Sequence, residues 1–205
     1  MTNDQDDENV YEINPVITWE TLQNYRETSD CEPFKIIIDK FEKINTKPFP
    51  HGFWDSKVSH KLYMLILRIK LEMRTMESLY KIIKKKFYTN YGGRLLSSKY
   101  NNVPSKLIKS LYSEYEWLFW KFVHTPSGSW NNHENQLKYM DWLGEKLGYT
   151  TMDDWYQIEQ KDFSNNYGGG FLVSKYNHSP YQLLTSRYPC LLYTSDADDD
   201  ETSGG

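Results

Sequence analysis

One phrase occurs twice in this chain: "NYGGRLLSSKYN" at Asn90–Asn101 and "NYGGGFLVSKYN" at Asn166–Asn177. Shifting the sequence against itself by 76 residues aligns Pro50–Ser113 with Pro126–Pro189 without a gap, and 27 of 64 positions are identical. Trp54 meets Trp130, Tyr63-Met64 meets Tyr139-Met140, Phe87 meets Phe163, and Pro104, Leu107 and Tyr112 meet Pro180, Leu183 and Tyr188. A period this long exceeds that of the common solenoid repeats, so each copy reads as a small domain.

The local patterns are helical. In the second copy Leu137, Met140, Leu143 and Leu147 fall at helical spacing beside Trp142, and Gly148 suits the helix end. Asp153 or Asp154 reads as the cap of a short helix over Met152–Ile158. "KDFSNNYGG" reads as a helix stopped by Gly168-Gly169, "FLVSKY" as another, and Ser179-Pro180 as the start of the last. The fold class expected is therefore mostly α: a tandem repeat of two helical units of about 76 residues, each with three to five short helices. Hydrophobic content is only 39% while aromatics reach 16%, which points to a core built on large rings.

Charge, composition and the repeat divide the chain into five expected segments. Residues 1–12 form a disordered acidic arm and 13–47 a degenerate partial repeat, because "PFKIIIDKF" resembles "PSKLIKSLY". Repeat unit 1 spans 48–123 and closes on the aromatic "SEYEWLFWKF", which is expected to pack one unit against the next. Repeat unit 2 spans 124–189. The remainder, 190–205, reads as a disordered tail. Its "CLLYTSDA" resembles the translation of a sequencing adapter, so the natural sequence is expected to be cut near Pro189.

The Gly pair, Gly92-Gly93 and Gly168-Gly169, is read as a structural turn that ends a helix. Positive φ or close backbone approach would demand glycine in both copies. It lacks the spacing and the preceding strand of a phosphate loop.

At these residues the sequence resembles an uncharacterised helical repeat of giant-virus, algal and other protist proteins. The shared phrases are "WLGEKLG", "DDWYQI", "YGGGFLVSKYNHSPYQLL" and "RYP" in the second copy, and "YGGRLLSSKY" and "YEWLFWKF" in the first. The first copy departs from that pattern, with Leu79 in place of the Trp of "DWY" and "RIKLEM" in place of the Leu-Gly end. The resemblance covers roughly residues 53–189 and implies a virus-encoded or protist origin. It brings no established activity.

Charge supplies the functional reading. Residues 1–32 carry nine acids against Arg26, whereas residues 57–112 carry thirteen bases against Glu72 and Glu77. The net charge of −4 hides an acidic arm and a basic body. The expected nucleic-acid-binding set is Lys81, Lys84, Lys85, Lys86, Tyr91, Arg94, Lys99, Lys106 and Lys109, with Tyr88, Tyr91 and Tyr100 available to stack on bases. The helix–turn–helix-like length of Leu95–Tyr112 is a further candidate for docking on DNA. In the second copy Gln157, Gln160, Asp162 and Gly170 stand where Lys81, Lys84, Lys86 and Arg94 stood, so binding would belong to the first unit.

No Ser/His/Asp or Cys/His constellation is persuasive, and the five His do not pair with Cys at zinc spacing. The expectation is a non-catalytic module without metal or cofactor. Its partners are DNA or RNA, other proteins held by the aromatic repeat surfaces, and no membrane. The alternative is a targeting fragment of a longer enzyme such as a nuclease. No run of 18 apolar residues occurs, and two cysteines without a disulfide framework point to an intracellular compartment, cytoplasm or nucleus.

Overall fold

The computed structural model describes residues 12–44 and 47–188. The expected arm and the tail from 190 lie outside these residues, apart from Glu12. Among the described residues there are eleven α-helices and four 3-10 helices, and no strand. No helix among them is long and apolar enough to cross a membrane. The chain divides into two compact units, one of residues up to 118 with 122–124, the other of 119–121 with 125 onward.

In the first unit α1 (Trp19–Thr28) and α2 (Glu32–Phe41) pack against α3 (Lys57–Lys70). Ser56 caps α3, its Oγ accepting from the Val58 amide at 3.2 Å. Ile37 and Ile38 of α2 and Tyr63, Met64, Ile66 and Leu67 of α3 have no solvent exposure. Four short helices follow: α4 (Met76–Leu79), α5 (Lys84–Thr89), α6 (Gly93–Tyr100) and α7 (Pro104–Leu111). None has more than eight residues, too few for a stable isolated helix, so packing must hold them. Each sends apolar anchors inward: Leu79, Phe87, Leu95, Leu96, Leu107 and Ile108 are fully buried.

The second unit is built on α8 (His133–Leu147), capped by Asn132 and ended by Gly148 at φ +76°. A 3-10 helix (Asp153–Gln157), α9 (Gln160–Asn165), α10 (Gly169–Tyr176) and α11 (Pro180–Arg187) follow. Ser179 caps α11 as read from the sequence, its hydroxyl accepting from the Gln182 amide. Asp154 differs from the expectation: it does not cap from the N-cap position, but lies inside the 3-10 helix and accepts from the Thr150 and Thr151 amides, each at 2.7 Å. Trp155 lies on α8 at Gly144, where an added Cβ would meet the indole at 2.8 Å. The first unit has Leu79 and Arg68 at the corresponding positions. Buried Arg68 donates to the carbonyls of Met73 and Arg74, at 3.0 and 2.6 Å.

The closing aromatic segment divides. Within the first unit Trp117 and Phe122 make edge contacts with Tyr80, at 5.1 and 4.8 Å between centroids. Within the second, Phe119 meets Trp130 at 4.7 Å, and Trp120 meets Tyr139 and Trp142 at 5.4 and 5.5 Å.

Candidate nucleic-acid interface

The twice-written phrase makes the same local bonds in both places. Tyr63 donates its phenol to the Asn90 carbonyl, and Tyr139 to that of Asn166, each at 3.0 Å. Lys99 Nζ lies 2.7 Å from Asp55, and Lys175 Nζ 2.6 Å from the Asn131 amide oxygen. His60 bridges the Trp54 carbonyl and the Tyr100 phenol, both at 2.9 Å. Gln136 does so between Trp130 and Tyr176, at 2.6 and 3.0 Å. Asn101 and Asn177 end α6 and α10 in the left-handed region. Lys, Tyr and Asn of "SKYN" are each occupied in holding the fold.

The glycine turn corrects the sequence expectation. Gly92 and Gly168 have φ of −90° and −94°, and Gly93 and Gly169 open α6 and α10 instead of ending a helix. The left-handed residues are the preceding tyrosines, Tyr91 at +63° and Tyr167 at +68°. α5 closes with a bond from the Gly92 amide to the Phe87 carbonyl, and α9 with one from Gly168 to Phe163, both 2.8 Å. That six-to-one bond is a Schellman closure, which normally places glycine one residue earlier, in the left-handed position. Here glycine is displaced by one, because an added Cβ on Gly92 or Gly168 would meet the Tyr63 or Tyr139 hydroxyl at 2.1 or 2.0 Å. The approach that demands glycine comes from a side chain, not from backbone.

The expected nucleic-acid residues are distributed unevenly. Lys84, Lys85 and Lys86 are the exposed first three residues of α5, and the Lys84 ammonium lies 5.3 Å from the Tyr88 ring. Tyr88 itself is pinned, donating to the Asn102 side chain at 2.6 Å. Lys81 is exposed just before α5, and Lys106 is exposed in the first turn of α7. Lys99 is engaged by Asp55. Lys109 is half-buried with its ammonium 5.8 Å from the Phe122 ring, and burial lowers its pKa. Tyr91 and Arg94 line a recess of about 260 Å³ together with Lys40, Lys47, Pro48 and Phe49. The sequence reading passed over Lys40 and Lys47, which lie before the aligned repeat. Their only signal was basic character in a segment otherwise read as a worn copy.

The first turn of α5 is electrostatically unfavourable. Three cations sit at the positive end of a helix whose N-cap, Ile83, supplies no side-chain bond. The corresponding turn of α9 is conventional, with the Glu159 amide donating to Asp162 at 2.8 Å and Lys161 paired with Glu159 at 2.8 Å. Among the described residues no group of three or more His, Cys, Asp or Glu side chains is placed to hold a metal ion. No family model, curated protein or solved structure matches this chain.

Proposed function

We propose that this chain is a non-catalytic helical binding module, duplicated in tandem, that takes DNA or RNA with modest affinity on the basic surface of its first copy. The observation that carries the reading is the first turn of α5. Lys84, Lys85 and Lys86 stand where the helix dipole disfavours cations, while the other copy keeps an acidic, well-bonded turn at the same place. Local rules are broken where function requires it. A polyanion compensates the excess positive charge there and releases its own counterions on binding.

The duplication is supported by the bonds that recur at a spacing of 76 residues around Tyr63 and Tyr139, His60 and Gln136, and Lys99 and Lys175. The seat of Trp155 on Gly144 gives the "DWY" and Leu-Gly phrases a packing role. That role is in keeping with kinship to the giant-virus and protist repeat.

The test is a fluorescence titration of the full chain with oligonucleotides across a salt series. Affinity should fall with salt with a slope of roughly −0.7 per phosphate contact on single strands and −0.9 on duplex. Absence of binding at tens of micromolar and low salt removes the proposal. A second reading, a protein–protein interaction repeat, is favoured by an apolar groove of about 540 Å³ in the first unit, where Ile17, Leu62, Leu65 and Leu111 stand beside Lys61.

A further inference from the structure

A cavity of about 150 Å³ in the first unit is lined by residues 49–55 and by Arg94, Ser98 and Lys99 of α6. Trp54 forms part of its wall and is only 5% exposed, yet its indole Nε1 is buried without a hydrogen-bond partner. Edge contacts with Phe49, Phe53 and Tyr63, at 4.7, 4.8 and 5.5 Å between centroids, fix the ring. A buried donor left unpaired is uncommon in a native protein and marks a place for an acceptor. Asp55 is the one carboxylate in the lining, and Lys99 already neutralises it at 2.7 Å. Lys99 holds the Asp55 pKa down, and the charges of His51 and Arg94 add to that effect. Arg94 and His51 are exposed, and both are confined to this unit: Gly170 and Ser127 stand at their places in the second. Trp130, Ser174 and Lys175 are kept there.

We infer that this cavity seats a phosphate monoester, the terminal phosphate of a nucleic-acid strand, its oxygens taking donors from Arg94, His51 and the Trp54 indole. The inference rests on the nucleic-acid reading above and deepens it by naming a site and the strand feature it reads. With Lys99 and Asp55 closed on each other, the remaining polar groups are a guanidinium, an imidazole and an indole N–H. Each offers a donor, so the matching guest is one made of acceptors. Arginine suits a phosphate, since its guanidinium forks onto two oxygens. A phosphate presents a third oxygen where a carboxylate has only two. Size selects the terminal group: a hollow of this volume takes a phosphate but not a nucleoside. A phosphate inside a strand carries a nucleoside on both sides, whereas one at the end can enter by its free face.

The experiment titrates the full chain with a labelled oligothymidylate carrying hydroxyls at both ends, and with the same strand phosphorylated at its 5′ end or at its 3′ end. Inorganic phosphate and acetate serve as competitors. One phosphorylated form should bind the parent protein roughly tenfold more tightly than the hydroxyl-ended strand. Arg94→Gly and His51→Ser install the residues that the second unit uses, and each should abolish most of that advantage. His51→Ser should keep the parental affinity for the hydroxyl-ended strand. Thermal melts confirm folding; both side chains are exposed, so the fold should persist. Inorganic phosphate should erase the advantage at concentrations where acetate does not. Equal affinity for all three strands overturns the cavity and leaves the nucleic-acid reading standing. An advantage that survives in both variants, or one that acetate erases as readily as phosphate, also overturns it. If no strand binds the parent protein, both proposals fall.

Discussion

The phenol oxygen of Tyr63 occupies space that only glycine at position 92 leaves open: a Cβ there would sit 2.1 Å from it. Tyr63 is fully buried on α3 and its hydroxyl donates to the Asn90 carbonyl, so the ring has no room to retreat. Burial also pushes the phenol's pKa well up, keeping it a neutral donor. Tyr139 stands in the same relation to Gly168.

Gly92→Ala should therefore destabilise the first unit by about 1–3 kcal/mol through overpacking, although alanine fits the backbone angles. Gly168→Ala should do the same in the second. Chemical denaturation checks both. Tyr63→Phe should cost less in the Gly92→Ala background than alone, with a coupling of at least about 0.5 kcal/mol, because the clash and the Asn90 bond share one hydroxyl. Additive costs would show that the contact does not govern the site.

Tyr91 and Tyr167 hold left-handed positions that cost a side chain about 1–2 kcal/mol. Asparagine tolerates that region, whereas a β-branched residue does not. Tyr91→Asn should be neutral or stabilising despite the loss of its contact with Phe41, and Tyr91→Val should lower stability by more than about 1 kcal/mol. Melting curves of the pair, compared with those of Tyr167→Asn and Tyr167→Val, separate backbone strain from ring packing.

His60 should give the first unit a pH dependence. Its Nε2 faces the Trp54 carbonyl and must donate, so its Nδ1 accepts from the Tyr100 phenol. Burial lowers its pKa, and Lys99 and Lys57 lower it further, while the Trp54 bond and Asp55 oppose the shift. A histidine depressed on folding stabilises the protein while neutral. Stability is complete above the unfolded value of about 6.5 and falls as pH drops through the folded value. His60→Gln, which copies Gln136, should remove that dependence. Asp55, held below the usual carboxylate range by Lys99, loses its contribution only below about pH 4, so the two windows separate in denaturation series. An unchanged pH profile in His60→Gln would exclude the histidine as its source.

The phrase at Asn90–Asn101 was legible as something the chain needs twice, and the helices around it followed from periodicity and caps such as Ser179. Its partners were not legible. Asp55 is 44 residues from Lys99, and no local pattern announces that pair. His60 and Gln136 look unrelated as residue types, yet each offers an N–H at one end and an acceptor at the other. The glycines invited a positive-φ reading because that is their commonest use at a helix end. A tyrosine on another helix had claimed the space at the next residue and moved them along by one. Lysines such as Lys99 and Lys109 read as available charge, because an ion pair or an aromatic neighbour brought in by tertiary packing leaves no local trace. Lys40 and Lys47 escaped notice because they precede the aligned repeat.

If, as proposed, the first copy trades local helix stability for polyanion binding, one double variant on α5 will show it. Lys84→Gln with Lys86→Asp transplants the charge of the α9 first turn, Gln160 and Asp162, onto α5. Removing two cations from the positive helix end and adding a carboxylate should raise stability by about 0.3–1 kcal/mol. The same change should weaken oligonucleotide binding and flatten its salt slope by roughly one to two units. Measured together on the full chain, a raised melting temperature with weakened, less salt-sensitive binding is the predicted result. Parental affinity and parental salt slope in the variant would contradict it.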